Sequence, residues 1–316
     1  MKEKLKKIDL SNASALIVLI VLCIGLTIAE PAFGSVANLI NILQQVTVIA
    51  VLALGVNVVI FTGGIDISVG SVVAFTGIVM GKLIVENGMP DIVGVIAAVL
   101  VGAACGTFNG IMISKFKLQP MIATLAMMSM ARGAAYTLAD GQTITGYSAG
   151  FRWIGIANIP GTAIPVQIVF MVLLYIAFYY VMKYRKFGRY IYSIGGNEEA
   201  TRLSGINVNR VKLGVYALMG AVVAIAAVLQ VSRIGAMDPA NAGSGYELDS
   251  IAAVIVGGTS MSGGKGSVVG TVFGMLIIAV MNNLLNLLGV PPFLREAFKG
   301  AIIIAAVLLQ RKSSDN

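Results

Sequence analysis

Long, nearly uninterrupted runs of apolar residues follow one another along this chain, separated by short stretches that hold most of the charge. A helix needs about 20 residues to cross the roughly 30 Å hydrocarbon core of a bilayer. Membrane β-strands alternate over about 10 residues, which these continuous runs do not. The pattern therefore predicts ten helical segments, at 13–29, 42–62, 69–85, 92–114, 120–138, 164–182, 211–231, 248–256, 268–288 and 293–310.

The composition strengthens this assignment to a membrane protein. Hydrophobic residues make up 58% of the 316 positions and charged residues 11%, whereas soluble domains carry about 25% charged residues. The predicted fold class is an all-α integral membrane protein, a polytopic helical bundle of about ten transmembrane segments. The eighth segment is short, so it is either a half-helix or the start of a longer, glycine-broken helix.

The distribution of charge predicts an orientation in the membrane. With the N-terminus in the cytosol, most of the 22 Lys and Arg residues fall in cytosolic loops, as the positive-inside rule expects. An even number of spans then places the C-terminus in the cytosol as well. The prediction is a cytoplasmic tail over 1–12, a transmembrane domain over 13–310 with a cytoplasmic loop at 183–211, and a cytoplasmic tail over 311–316. The net charge of +8 is attributed to this topology, and no nucleic-acid partner is expected.

A polar island, "GGNEEATRLSGINVNR" at 195–210, lies in the largest predicted cytosolic loop. Asn197 is a suitable N-cap, Glu198 and Glu199 favour the positive end of a helix dipole, and Gly205 permits a left-handed stop. The island therefore predicts a short helix over 198–204. Because so short a helix is marginal in water, we expect it to dock on a cytosolic partner. The alternative is a solvated loop that only satisfies the positive-inside rule.

Uncharged amides interrupt two of the predicted spans. Within the second span, three of them recur at i, i+3 and i+4 and so share one helical face. Amides in hydrocarbon need partners, which leaves two interpretations: hydrogen bonds between helices, or the lining of a path for a polar, uncharged solute. The candidate path residues are Asn41, Gln44, Gln45, Asn57, Asn282 and Asn286.

The chain offers little for catalysis or metal binding. It contains no histidine, which removes the commonest general base and metal ligand. A phosphate-binding loop requires Gly, four residues and then Gly-Lys-Ser/Thr, and the glycine-rich turn at 257–269 breaks that spacing. We therefore predict no catalytic residue, no metal site and no cofactor on this chain.

Five stretches carry a resemblance to a known family: "NLINILQQ" at 38–45, "GGIDISVGS" at 63–71, "FGRYIYSIGGNEEATRLSGINVNRVK" at 187–212, "GYELDSIAAVIVGGTS" at 245–260 and "NNLLNLLGV" at 282–290. With these the chain resembles the permease subunits of bacterial ATP-binding-cassette (ABC) importers for monosaccharides. The long cytosolic stretch is the most specific of the five.

This resemblance implies a multi-subunit importer in the bacterial inner membrane. Two permease copies would form the pore, a cytosolic subunit with tandem nucleotide domains would bind ATP and Mg, and an extracytoplasmic sugar-binding protein would deliver the ligand. D-ribose is the expected sugar; the alternatives are another monosaccharide or, with less support, an ion-coupled secondary carrier. The resemblance also implies that the polar island contacts the ATPase, through Gly196, Asn197, Glu198, Glu199, Ala200, Arg202, Leu203 and Gly205.

Overall fold

The computed structural model describes residues 10–30 and 32–291, with scattered positions from 294 to 301. Within these residues the chain forms twelve α-helices and one two-stranded sheet. The helices are α1 (Leu10–Ala29), α2 (Val36–Phe61), α3 (Val69–Gly81), α4 (Asp91–Ser114), α5 (Pro120–Leu138), α6 (Ala149–Ile156), α7 (Val166–Tyr184), α8 (Lys186–Gly196), α9 (Glu198–Leu203), α10 (Val208–Ile234), α11 (Tyr246–Val256) and α12 (Val268–Leu287).

Every predicted apolar segment up to residue 288 is helical. Among the described residues, six helices are long and apolar enough to cross a membrane: α2, α3 with its extension to Glu86, α4, α7, α10 and α12. Helix α11 has only 11 residues, which confirms the half-helix interpretation of the eighth segment. The tenth segment, at 293–310, and the tail at 311–316 lie outside the described residues apart from isolated positions.

Several boundaries differ from the sequence prediction for local reasons. Helix α2 begins at Val36 instead of 42, because the Oγ of Ser35 caps it by accepting the N–H of Asn38 at 3.3 Å. Helix α3 continues into a π-helical turn, Lys82–Glu86. Residues 10–12, predicted to belong to the N-terminal tail, form the first turn of α1.

The loop predicted at 183–211 is mostly helical. Helix α7 extends to Tyr184, α8 follows it almost directly, and α10 starts at Val208. Sequence analysis missed α8 because its apolar residues are few and spaced for one buried face. That face carries Gly188, Ile191 and Ile194. Helix α6 was also missed, although Ser148 gives it an N-cap by accepting the N–H of Phe151 at 3.0 Å.

Glycines allow the central helices to pack backbone against backbone. Helix α4 lies along α10, and α2 packs against α10, α11 and α12. A Cβ atom on Gly102 of α4 would collide with the carbonyl of Gly220 of α10, and one on Gly220 would collide with the carbonyl of Gly102. Such small-residue contacts are how membrane helices approach closely.

Helix α10 runs from one end of the bundle to the other. Its 27 residues correspond to a length of about 40 Å. Helices α8 and α9 precede α10 and lie at one end, called here the α9 end. The antiparallel strands β1 (Ile144–Thr145) and β2 (Ala236–Met237) lie at the other, called the sheet end.

Candidate coupling site and polar positions in the bundle

The polar island folds as its capping residues predicted. Helix α9 spans Glu198–Leu203, with Asn197 as N-cap: its Oδ1 accepts the N–H of Ala200 at 2.9 Å. Just beyond the helix, Gly205 adopts a left-handed φ of 81°. The predicted helix at 198–204 is thus confirmed to within one residue, whereas its docking on an ATPase stays a prediction.

Charged side chains tie α9 to itself and to α10. Glu198 pairs with Lys212 of α10 at 2.5 Å and with Arg202 at 3.5 Å, and Arg202 also lies 3.8 Å from Glu199. Partial burial by itself would raise the pKa of Glu198. The hydrogen bond and charge of Lys212, helped by Lys117 and Arg202, outweigh it and hold that pKa below its usual value. Glu198 is therefore a carboxylate fixed to the bundle.

The other side of α9 faces outward. The Leu203 side chain is 81% exposed, and Gly196, Glu199 and Ala200 are exposed as well. Thr201 is the buried residue of this helix. Helix α9 is thus anchored by one face and exposes an apolar side chain on the other. Such an arrangement favours contact with a partner.

A second attachment joins the start of the island to two other helices. Gly195 fits against Phe61, the last residue of α2, and against Gly264 in the turn between α11 and α12. The N–H of Gly264 donates to the carbonyl of Phe61 at 3.1 Å, and a Cβ on Gly195 would collide with both groups. Tyr192 reinforces this junction, since its ring lies 4.6 Å from that of Phe61 and its hydroxyl donates to the Gly266 carbonyl at 3.3 Å.

This three-backbone junction was not predicted from the sequence. The available signals were the glycine pair at 195–196 and the glycine-rich turn at 257–269. The sequence pattern assigned neither of them a contact. The structure shows what is packed: α8, the end of α2 and the α11–α12 turn meet at one place.

Asn57 acts as a connector between helices. Its side chain is fully buried, its Nδ2 donates to Thr271 Oγ1 at 2.6 Å and to the Ser267 carbonyl at 3.3 Å, and its Oδ1 accepts the hydroxyl of Thr259 at 3.1 Å. These contacts join α2 to α12 and to the turn before it. They favour the first of the two interpretations of the amides for this residue.

The three amides on one face of α2 have separate roles. Gln45 donates to Asn41 at 2.9 Å, and both are exposed. At Gln44 the backbone is engaged: its carbonyl accepts Gln167 Nε2 of α7 at 3.1 Å and Arg233 Nη1 of α10 at 3.0 Å. The Gln44 side chain itself is half-buried.

On α12 the amide that pairs with α2 is not one of the predicted path residues. Asn283 and Asn38 exchange two hydrogen bonds of 3.0 Å each. Asn282 is half-buried and Asn286 is exposed. The contact with α2 is therefore formed by a residue that the shared spacing of Asn282 and Asn286 did not select.

A buried polar cluster precedes α3. Asp66 accepts the N–H of Ser68 at 2.9 Å and its hydroxyl at 2.6 Å, and Asn109 of α4 donates to the Ser68 hydroxyl at 3.2 Å. This cluster secures the start of α3 against α4, which explains why the sequence places a carboxylate so near the end of an apolar run.

Apolar spanning helices, internal amide pairs and a capped helix at one end are features of a multi-pass membrane protein. The chain belongs to the permease family described as "Branched-chain amino acid transport system / permease component", whose model matches residues 38–307. Members of this family are transport subunits of import systems and sit in the inner membrane.

Several curated bacterial proteins are similar to the chain along nearly its whole length. The ribose import permease of Escherichia coli (strain K12) is 44% identical over 96% of this chain and 94% of that protein. The ribose import permease of Bacillus subtilis (strain 168) is 43% identical over 94% of this chain and 91% of that protein. The galactose/methyl galactoside import permease of Escherichia coli (strain K12) is 36% identical over 95% of this chain and 94% of that protein. No solved structure gives a significant match.

Proposed function

We propose that this chain is the membrane-spanning permease subunit of an ABC importer that carries D-ribose into the cytoplasm. The observation that supports ribose is the gradient of similarity among relatives. Ribose import permeases from two distant bacteria are 43–44% identical to the chain. The fructose, D-allose and galactose/methyl galactoside permeases are 34–36% identical.

The proposed topology has ten spans with both ends in the cytoplasm. The permease domain covers 13–310, with cytoplasmic tails at 1–12 and 311–316, and the α9 end faces the cytosol. The positive-inside rule supports this orientation, because Lys183, Arg185, Lys186, Arg189 and Lys212 all lie at the α9 end.

Two copies of the chain would form the pore. A cytosolic subunit with tandem nucleotide domains, which binds ATP and Mg, would drive the cycle, and an extracytoplasmic binding protein would deliver the sugar. The residues that would contact the ATPase are Gly196, Asn197, Glu198, Glu199, Ala200, Arg202, Leu203 and Gly205. Two attachments support a coupling role for them: the Glu198–Lys212 ion pair leads to α10, and the Gly195 junction leads to α2 and α12.

The sugar path would run along the amides that remain accessible within one subunit. Asn41, Gln45 and Asn286 are exposed, and Gln44 and Asn282 are half-buried. Neutral amides donate and accept hydrogen bonds without adding charge, which suits a neutral polyol. Asn57 is a weaker candidate because all of its hydrogen bonds join helices.

The direct test is sugar uptake into proteoliposomes that contain this chain, the tandem ATPase and the ribose-binding protein. We expect accumulation of labelled D-ribose that requires ATP and is lost with an ATPase whose nucleotide sites are inactivated. Unlabelled fructose, allose and galactose serve as competitors. Uptake driven by a proton or sodium gradient without the ATPase would overturn the ABC assignment, and preferred uptake of another sugar would overturn ribose alone.

A further inference from the structure

A cavity at the α9 end is lined by none of the residues proposed to contact the ATPase or the sugar. It has a volume of about 640 Å³ and opens between the end of α7, the middle of α8 and the start of α12. Its lining residues are Tyr179, Met182, Lys183, Arg189, Tyr192, Ser193, Ser267, Val268 and Val269.

The cavity is positively charged. Lys183 and Arg189 are its ionised side chains, and none of the lining residues is acidic. In the described part of the chain, neither of these two cations forms an ion pair with a carboxylate. The Lys183 ammonium is held in place by the Tyr179 hydroxyl at 2.5 Å and lies 4.9 Å from the centre of that ring. A fixed cation without a carboxylate partner is available for an anionic ligand.

The start of α12 adds backbone donors to the same cavity. Ser267 caps this 20-residue helix by accepting the N–H of Gly270 at 2.9 Å. The N–H groups of Val268 and Val269 come before the first intrahelical hydrogen bond, and the positive end of the helix dipole lies here. Helix N-termini of this kind bind phosphate groups.

The cavity lies where an apolar surface meets a basic one. Along α7, Phe170, Leu173 and Ile176 are exposed large hydrophobics, as expected of a surface in contact with lipid. One to two turns further, Tyr180 and Tyr184 follow, and Arg185 lies 5.1 Å from the Tyr180 ring. Tyrosines mark membrane–water interfaces, with cations on the cytosolic side.

From these observations we propose that the cavity binds the headgroup of one anionic phospholipid. Lys183 and Arg189 would contact its phosphate together with the α12 N-terminus, while the acyl chains follow the exposed face of α7. The ligand would join α8 to α7 and α12, and so stiffen the element that carries α9. The proposal requires that the protein spans a membrane, but not that its substrate is ribose.

The test is lipid binding to the purified full chain, measured by native mass spectrometry with phosphatidylglycerol and phosphatidylcholine. We expect the protein to retain one phosphatidylglycerol molecule tightly and to retain no phosphatidylcholine molecule under the same conditions. Arg189→Gln and Lys183→Gln should each weaken phosphatidylglycerol binding about tenfold, the order expected for a lost hydrogen bond to a charged group. Lys186→Gln is the matched control, because Lys186 is exposed on α8 and does not line the cavity.

Each alternative has its own outcome. Equal weakening by Lys186→Gln would show only diffuse attraction and overturn a defined site. Competition by inorganic phosphate or glycerol phosphate at similar concentration would identify a soluble anion as the ligand and overturn the lipid. Loss of phosphatidylglycerol when the ATPase assembles with the permease would show that the partner covers the cavity, which also overturns the proposal. Thermal melts in detergent without added lipid verify that the variants are folded.

Discussion

The carboxylate of Glu198 lies 2.5 Å from the ammonium group of Lys212, and this ion pair ties the short helix α9 to the first turns of α10. Helix α10 in turn packs along α4 and α2 through the centre of the bundle. A force applied to α9 therefore reaches the transmembrane helices through an identified contact.

Exchanging the two charges of this pair should distinguish the attachment of α9 to α10 from the effect of the individual charges. Glu198→Lys or Lys212→Glu alone should reduce ATP-driven uptake several-fold, because α9 loses its attachment to α10. The double variant Glu198→Lys with Lys212→Glu should recover most of the activity. Stability should change by only about 0.2–1 kcal/mol, as for other partly exposed pairs. Uptake measured with equal amounts of folded protein tests this prediction. Uptake by the double variant that stays as low as in the single variants would contradict a role for the pair.

The same pair gives a pH dependence with a defined sign. The pKa of Glu198 is held below its usual value of 4.5, so its stabilising contribution is present above that value and disappears as the pH falls through the lowered pKa. In detergent, the melting temperature of the wild type should exceed that of Glu198→Gln at neutral pH. This difference in melting temperature should vanish in the acidic range below 4.5. A difference that persists there would argue against the ion pair as its cause.

The exposed side of α9 is tested by residues that do not hold the helix to the bundle. Within the described residues, the 3.8 Å contact with Arg202 is the ion pair of Glu199, and Leu203 is 81% exposed. Glu199→Lys and Leu203→Ser should weaken binding of the ATPase in a pull-down while leaving the melting temperature unchanged. Ser204→Ala, at the C-cap of the same helix, is the control. Normal ATPase binding and uptake in both variants would indicate that the island is a solvated loop that only satisfies the positive-inside rule.

Two adjacent glycines provide a matched pair at the backbone junction. Gly195→Ala places a methyl group against the Phe61 carbonyl and the Gly264 N–H, so the contact between α8, α2 and the α11–α12 turn must open. Gly196→Ala meets nothing within 4 Å. The first variant should reduce both the melting temperature and uptake, and the second should have the melting temperature of the wild type. Equal behaviour of the two would show that the junction tolerates separation.

The amides on α2 divide into two groups that substitution by Leu should distinguish. Asn57→Leu removes the amide that accepts the Thr259 hydroxyl and donates to Thr271 and to the Ser267 carbonyl, so we expect destabilisation by about 1–3 kcal/mol and poor assembly. Gln44→Leu keeps the carbonyl that Gln167 and Arg233 bind, so the variant should fold and assemble but transport more slowly. Detergent melts and uptake assays measure both effects. A Gln44→Leu variant that fails to fold would place its side chain among the structural contacts.

Local sequence patterns were sufficient for the long helices and for α9, but not for α6 and α8. The apolar runs predicted every long helix up to residue 288, because a segment that must satisfy its own backbone hydrogen bonds in lipid has helix as its solution. Capping residues predicted α9, because Asn197 and Gly205 act on neighbours within one turn. Helix α8 escaped because its burial depends on packing against other helices, which composition does not report.

The contacts between distant residues could not be predicted in this way. Amides at 41, 44 and 45 share a helical face, yet the structure divides them between an exposed pair and a carbonyl that two other helices bind. Asn283, which the spacing of Asn282 and Asn286 did not select, forms the contact with Asn38. Periodicity defines a face, but only packing decides what each face meets.

The sequence by itself determined that the chain is a helical membrane protein, where its long apolar helices lie, and that the polar island forms a capped helix. Each of these features depends on residues within one or two turns and on the insolubility of unpaired backbone in lipid. Only the tertiary structure decided that Gly195 meets Phe61 and Gly264, that Glu198 is fixed to Lys212, and that Asn57 joins helices. Those contacts bring together residues far apart in sequence, and their pairing is set by which surfaces fit when the helices pack.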